Sequence, residues 1–150
     1  MDLNLDRFLP YRLSVLADRV TRDLSKVYGP RGIGQAEWRV LAHLGGAADG
    51  LSVRDIHDRV SLEKYRVTRA LQRLESAGLV RKTQSDRDRR LIAVALTAAG
   101  RAFYDRIVPD VLAFEQTLLS VLSEEERTLF DRVLDRLSEM DSATRPLGRE

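Results

Sequence analysis

The stretch that decides the fold is residues 64–75, which reads KYRVTRALQRLE. Its apolar residues stand three or four positions apart, at Val67, Ala70, Leu71 and Leu74. This spacing places the four side chains in one stripe along an α-helix. Most of the other positions are basic or polar, so the stretch predicts an amphipathic helix whose outer surface carries positive charge.

Two short β-prone runs follow this helix, at residues 79–83 (LVRKT) and 91–96 (LIAVAL). Gly78 precedes them, at a position where helices commonly end in a left-handed residue. The charged turn SDRDRR, residues 85–90, separates the two runs. A basic helix followed by a hairpin with an arginine-rich tip is typical of a winged helix-turn-helix. In that fold the helix can enter the major groove of DNA and the tip a minor groove.

A shorter helix is predicted immediately before the basic helix. Ser52 is a favourable N-cap and Asp55 stands three residues later at the capping-box position, so this helix should run to about Val60. Residues 61–62 then form a tight connection. A short helix, a tight turn and a longer basic helix are the parts of a helix-turn-helix, and we assign the whole DNA-binding lobe to residues 34–97.

Long helices flank this lobe in the sequence, one over residues 9–30 and two over residues 98–141. Thr97 is the predicted N-cap of the second long helix, and Ser123 with Glu126 is the predicted capping box of the third. The apolar stripes of these helices exceed what one small core can cover, and the surplus predicts a second copy of the chain as partner. The alternative is that these helices complete a monomeric bundle. The predicted fold is thus mainly α with a small β-hairpin wing. It is a single domain over residues 1–150, in which long dimerisation helices flank a winged helix-turn-helix.

Positive charge is concentrated around the basic helix. Residues 61–90 contain nine basic and four acidic side chains, a net charge of +5, and the whole chain carries +2, which leaves −3 for the remainder. A cationic block on a slightly acidic chain is typical of proteins that bind a polyanion, so double-stranded DNA is the predicted partner. A solvated arginine-rich surface is the alternative. Two basic helices of a two-fold dimer would lie roughly 34 Å apart and would read a pseudo-palindrome.

Length and composition limit the classes of protein to which the chain can belong. The chain has 150 residues, of which 43% are hydrophobic and 32% charged, enough for one domain with a core. No apolar run approaches the roughly 18 residues needed to span a bilayer. The first residues, MDLN, lack the basic and apolar segments of a signal peptide. We therefore expect a cytoplasmic protein without membrane contact.

Catalytic and metal-binding motifs are lacking. The sequence has no cysteine, which excludes disulfides, thiolate metal sites and cysteine nucleophiles. His43 and His57 are its only histidines, and it contains neither a glycine-rich phosphate loop nor a His-Glu-x-x-His motif. We therefore expect no enzyme, no cofactor and no metal site. A winged helix used as a protein-interaction module, without DNA readout, is the alternative to DNA binding.

The order and lengths of these elements resemble the MarR family (multiple antibiotic resistance regulator type) of bacterial transcription factors over residues 9–141. The wing is the most specific part of this resemblance, because residues 87–90 (RDRR) and 94–100 (VALTAAG) resemble the family pattern D-x-R-D-x-R…L-T-x-x-G. Residues 67–69 (VTR) resemble part of its recognition helix. Ser85 departs from the pattern, which usually begins with Asp. The resemblance implies a sequence-specific, homodimeric transcriptional regulator, most simply a repressor of pseudo-palindromic operators.

By this resemblance, Arg90 is the wing-tip residue expected to enter the minor groove, whose focused negative potential suits an arginine. Asp88 would brace the wing by pairing with an arginine. On the basic helix, Arg69 and Arg73 are expected to contact phosphates more than bases because they lie further from its start. The predicted DNA-binding residues are Ser52, Arg54, Lys64, Tyr65, Arg66, Thr68, Arg69, Arg73, Arg87, Asp88, Arg89 and Arg90.

The resemblance also implies a small effector, often aromatic and anionic, that binds between the dimerisation helices and the DNA-binding lobe. Its binding would lower DNA affinity by favouring a spacing of the two basic helices that no longer matches the operator. For Trp38 simple core packing is the alternative, and for His43 a buried, hydrogen-bonded histidine. The residues predicted to contact such an effector are Tyr11, Arg12, Trp38, Arg39 and His43.

Overall fold

A computed structural model describes residues 3–84 and 92–139 of the chain. These residues form six α-helices and three short strands, with short 3₁₀ helices before the first helix and directly after it. The mainly helical fold with a small antiparallel sheet was predicted and is confirmed. The elements are α1 (Leu9–Tyr28), α2 (Gln35–Gly45), β1 (Leu51–Ser52), α3 (Val53–Arg59), α4 (Lys64–Ser76), β2 (Val80–Gln84), β3 (Ile92–Leu96), α5 (Ala98–Leu119) and α6 (Glu124–Ser138).

The sheet has three strands in the order β1-β3-β2, and both pairings are antiparallel. Val80 pairs with Leu96 across the hairpin, whose two strands the sequence predicted. Leu51 pairs with Val94 on the other side of β3, and this strand was missed. A strand of two residues shows no alternation of apolar and polar positions, so its sequence carries no strand signal.

The main core lies between α2, α3, α4 and the sheet. The predicted apolar stripe of α4 faces it, because all four of its side chains are at most 3% exposed. This confirms the amphipathic helix. The other fully buried members of the core come from α2, from α3 and the residue that follows it, and from the sheet, and they include Val40, Leu41, Leu44, Ile56, Val60 and Val94.

A smaller aromatic cluster joins α1, α2 and α5. Trp38 is 8% exposed and stacks between Tyr28 and Tyr104, with ring centroids 6.0 and 6.1 Å away. Ile107 of α5 completes the buried part of this cluster. Burial disfavours the phenolate and so raises the pKa of Tyr28 above its usual value.

The C-terminal end of α4 is hydrogen-bonded to the start of α5. Gly78 adopts a φ of +69°, and the N–H of Leu79 donates to the carbonyl of Leu74 at 2.9 Å, as in a Schellman turn. The hydroxyl of Thr97 donates to the Gly78 carbonyl at 2.6 Å and accepts from the N–H of Gly100 at 2.9 Å. Thr97 therefore caps α5, as predicted, and holds it against the end of α4.

The chain forms two compact units, residues 1–112 and 113–150, and the division falls inside α5. In the second unit α6 begins with the predicted capping box, because Ser123 and Glu126 exchange hydrogen bonds with each other's backbone N–H. No residue of α6 is buried. The assignment of residues 34–97 to a DNA-binding lobe and of the flanking helices to dimerisation stays a prediction.

Gly100 should tolerate no side chain. A Cβ atom there would collide with the backbone carbonyl of Leu79, which cannot rotate away. We expect Gly100→Ala to lower the free energy of unfolding by about 1–3 kcal/mol, measured by urea denaturation. Gly46→Ala is the matched control, because that residue has a negative φ (−88°) and open space around its Cβ position. An equal effect of both substitutions would contradict the packing described here.

Candidate nucleic-acid interface

The polar face of α4 lies at the surface. Because the apolar stripe fixes the rotation of the helix, the polar residues between its members point to solvent. Tyr65 is 64% exposed despite its large ring. Of the residues predicted to bind DNA on this helix, Arg66 is partly covered and the others are exposed: Lys64, Tyr65, Thr68, Arg69 and Arg73.

Arg66 is held by two neighbours. Its guanidinium donates to the side-chain oxygen of Gln35 at 3.1 Å and to the carboxylate of Glu63 at 3.4 Å. The pKa of the Glu63 carboxyl is lowered, chiefly by a hydrogen bond from its own backbone N–H, with Arg66 adding to the effect. Arg66 is thus oriented along the surface between α4 and the start of α2.

Arg73 is paired with a buried acid. Glu37 is 6% exposed, and its carboxylate accepts from the Arg73 guanidinium at 3.2 Å and from the N–H of Gly34 at 3.2 Å. The side chain of Arg73 itself is 71% exposed. One end of this arginine is therefore anchored while most of its surface remains accessible.

An open cleft of about 310 Å³ lies between α4 and the N-terminal end of α2. Three arginines of α4 line it together with Tyr65, and the first turn of α2 forms the opposite side. Backbone N–H groups at the start of a helix attract anions, as do arginine side chains. The cleft therefore has the charge needed to follow a phosphate backbone. Its lining residues include Gly34, Gln35, Tyr65, Arg66, Arg69 and Arg73.

The start of α3 carries the other two predicted contacts on the helix-turn-helix. The hydroxyl of Ser52 accepts from the N–H of Asp55 at 3.0 Å and donates to its carboxylate at 2.7 Å, which confirms the predicted capping box. The Ser52 hydroxyl and the Ser52 N–H (3.3 Å) both donate to the Asp55 carboxylate, and these two hydrogen bonds lower the pKa of that carboxyl. Arg54, in the first turn, is exposed.

The wing is described only at its base. Arg81 and Lys82 of β2 are solvent-facing, and Lys82 forms an ion pair of 2.7 Å with Glu75 at the end of α4. The assignments made for the tip, Arg87, Asp88, Arg89 and Arg90, lie outside the described residues and stay predictions.

The residues predicted to contact an effector differ in their surroundings. Tyr11 and Arg12 are exposed on α1. Trp38 belongs to the aromatic cluster, which was the alternative considered for it, and His43 is half-buried on α2. Arg39 is half-buried and donates to the backbone carbonyls of residues 60 and 61.

Two partners in this region were not predicted. Gln35 and Glu37 hold Arg66 and Arg73, and both stand in the first turn of α2. An acid three residues after a helix start is a capping signal, so the contact of Glu37 with Gly34 could have been found. Its pairing with Arg73, 36 residues away, depends on tertiary packing.

Within residues 3–84 and 92–139, no group of three or more His, Cys, Asp or Glu side chains could hold a metal ion. No helix in that part of the chain is both long and apolar enough to cross a membrane.

Comparison with known proteins identifies the chain. The MarR family profile matches residues 31–91. The regulator PecS of Dickeya dadantii, an HTH-type transcriptional regulator, is 34% identical over 84% of this chain and 75% of its own length. A MarR family transcriptional regulator from Silicibacter pomeroyi has 31% identity and a TM-score of 0.77, with 95% of this chain and 98% of that chain covered.

Two more distant structures have the same fold. MepR of S. aureus, solved as a complex with DNA, has a TM-score of 0.78 at 23% identity and covers 87% of this chain and 96% of its own. CouR of Rhodococcus jostii RHA1, solved with p-coumaroyl-CoA, has a TM-score of 0.81 at 23% identity and covers 99% of this chain and 100% of its own.

Fold, basic helix and relatives together define a DNA-binding transcriptional regulator of the winged helix-turn-helix class, a class of regulators and not of enzymes. The chain belongs to the MarR family, as its sequence motifs predicted.

Arg73 should contribute to stability although most of it is exposed. Its removal leaves the buried carboxylate of Glu37 with the Gly34 N–H as its one remaining hydrogen-bond donor within residues 3–84 and 92–139. We expect Arg73→Ala to lower the free energy of unfolding by about 1 kcal/mol, measured by chemical denaturation.

Two further variants test the cause of that loss. Glu37→Gln in the Arg73→Ala background should recover stability, because no buried charge then remains. Arg69→Ala is the control, since the described part of the chain shows no ion pair for Arg69, and it should change stability by less than about 0.5 kcal/mol. Equal losses for Arg69→Ala and Arg73→Ala would contradict this account of the pair.

Proposed function

We propose that the chain acts as a homodimeric repressor of pseudo-palindromic operators and that a small effector releases it. One observation carries the DNA-binding part: the apolar stripe of α4 is buried while its cationic face stays at the surface. Repression would follow from an operator that overlaps a promoter, because the bound dimer would exclude other proteins from the same duplex.

In this proposal α4 enters the major groove by its N-terminal half. Lys64, Tyr65 and Thr68 are exposed there and would meet base edges, and Arg66 would do so from its anchored position. The position of Arg69 and Arg73 further along the helix, beside the open cleft, suits phosphates. Ser52 and Arg54 would meet phosphate at the start of α3.

Homodimerisation is supported by apolar side chains that the chain itself leaves uncovered. The apolar side chains named below are at least 40% exposed on α1, and four of the five on α6 are exposed to the same extent. Isolated helices gain little stability without covering such a face, so a second copy is the simplest partner. The residues are Leu9, Leu13, Val15 and Leu16 on α1, and Leu129, Phe130, Val133, Leu134 and Leu137 on α6.

For the effector we propose an aromatic anion that contacts α1 and α2. Tyr11 and Arg12 are exposed and offer a ring and a positive charge, while Arg39 and His43 are half-buried. Trp38 is stacked between Tyr28 and Tyr104 and is 8% exposed, so it would contribute the small part of its surface that this packing leaves accessible. A panel of aromatic carboxylic acids should lower DNA affinity and raise the melting temperature of the free protein. If none of them changes either quantity, this part of the proposal fails.

A protein-interaction module without DNA readout is the alternative function. The salt dependence of duplex binding separates the two, because each phosphate contact releases counterions. We expect binding to weaken by at least tenfold between about 50 and 200 mM salt. Failure to bind a duplex even in dilute buffer would refute the proposal and favour the alternative.

The wing assignment predicts a loss of DNA binding for Arg90→Ala. An arginine in a minor groove interacts with a focused negative potential, and its removal should cost about 1–3 kcal/mol of binding free energy. Fluorescence anisotropy with a labelled duplex measures this, while the melting temperature and molar mass should stay those of the parent. Equal affinity of variant and parent would refute the assignment.

If the apolar face of α6 forms the dimer interface, a charged side chain placed in that face should separate the two copies. Leu134→Glu places a carboxylate in the apolar face, so it should convert the dimer to a monomer in sedimentation experiments without loss of helix content. DNA affinity should fall with it because the two half-sites are no longer bound together. Leu134→Met keeps an apolar side chain of similar size and should stay dimeric. A Leu134→Glu variant that is still dimeric would show that α6 is not the interface.

A further inference from the structure

Arg39 connects α2 to the turn of the helix-turn-helix. Its Nη1 atom donates to the carbonyl of Val60 at 3.2 Å and to the carbonyl of Ser61 at 3.2 Å. These two carbonyls belong to the segment between α3 and α4. A guanidinium nitrogen shared between consecutive backbone carbonyls fixes the peptide planes to which they belong.

The turn that Arg39 holds is conformationally demanding. Ser61 has a φ of +52°, and among residues 3–84 and 92–139 it is the single non-glycine residue in the left-handed region. Side chains with a Cβ are disfavoured there, so the conformation persists only where neighbouring groups hold it.

The start of α4 has little local support of its own. Glu63 occupies the N-cap position, and its side chain makes no capping hydrogen bond to the helix. The side chains of Ser52 and Ser123 provide such bonds for α3 and α6. The apolar stripe fixes α4 against the core, but the geometry of its first turn also depends on what fixes residues 60 and 61.

We propose that Arg39 is a positioning residue for DNA recognition: by holding the turn it sets where α4 begins and how its first turn is presented. The inference rests on the proposed DNA binding, and it gives Arg39 a role in the absence of any effector. Lys64 and Tyr65, three and four residues beyond Ser61, depend most on the turn. In a dimer, the separation of the two basic helices would depend on it as well.

Two other roles for Arg39 lead to different results. A residue that contacts only the effector would leave the DNA affinity of the free protein unchanged when removed. A residue that contacts phosphate directly would weaken binding to all duplexes alike and reduce the salt slope by about one. A positioning residue instead affects the preferred duplex more than an unrelated one, without changing the salt slope.

The test uses the full chain and two duplexes, one selected by the parent protein from a random library and one unrelated. Arg39→Ala should bind the selected duplex roughly tenfold more weakly, about the effect of losing charge-assisted hydrogen bonds, and the unrelated duplex as the parent does. Arg39→Lys should stay close to the parent, because both bonds come from one nitrogen, which an ammonium can replace. Arg7→Ala, in the exposed 3₁₀ helix before α1, removes the same charge elsewhere and should bind as the parent.

A second substitution tests the turn itself. Ser61→Gly should restore most of the lost affinity in the Arg39→Ala background, because glycine adopts a positive φ without a steric penalty. Thermal melting of each variant shows whether it is folded at the assay temperature. If Arg39→Ala does not fold, two other variants still test the inference. Arg39→Lys must match the parent in folding and in binding to the selected duplex, and Ser61→Gly must restore folding in the Arg39→Ala background.

Several outcomes would overturn the inference. They are equal binding of parent and Arg39→Ala, equal losses on both duplexes with a reduced salt slope, and failure of both Arg39→Lys and Ser61→Gly to restore binding or folding. A parent that selects no duplex from the library would instead refute the proposed DNA binding, and this inference with it.

Discussion

The burial of one apolar stripe is the constraint on which the rest of the structure depends. Val67, Ala70, Leu71 and Leu74 reach the core together only in one rotation of α4 about its axis. That rotation leaves the cationic positions of the helix at the surface, where Lys64 and Arg69 are exposed and Arg73 pairs with the buried carboxylate of Glu37. The surface charge of this region is therefore a consequence of how its core packs, and it needs no separate folding determinant.

The arginines of α4 nevertheless differ in how freely they move. Arg66 and Arg73 each have part of their guanidinium bound to α2, through Gln35 and Glu37. An arginine held in this way has already lost much of its rotamer freedom, so a later contact with phosphate would cost less entropy. Arg69 has no ion pair in the described part of the chain, and it can adapt to the ligand. The surface thus combines fixed and adaptable cations.

Much of this arrangement could be predicted from residues that are neighbours in the sequence. The stripe of α4, the capping boxes at Ser52 and Ser123 and the role of Gly78 all follow from local spacing, and all are confirmed. The two-residue strand β1 was missed because it forms only by pairing with β3. The contacts of Glu37 and Arg39 were missed because they join positions 36 and about 20 residues apart, which no local pattern encodes.

The join between α4 and α5 has a mechanical consequence. Thr97 bonds the Gly78 carbonyl, and Gly100 lies directly against the backbone of Leu79, with no side chain between them. The end of α4 and the start of α5 are therefore in direct backbone contact as well as hydrogen-bonded. We therefore expect the end of α4 and the start of α5 to move together, because this contact contains no side chain that could change its rotamer to absorb a displacement.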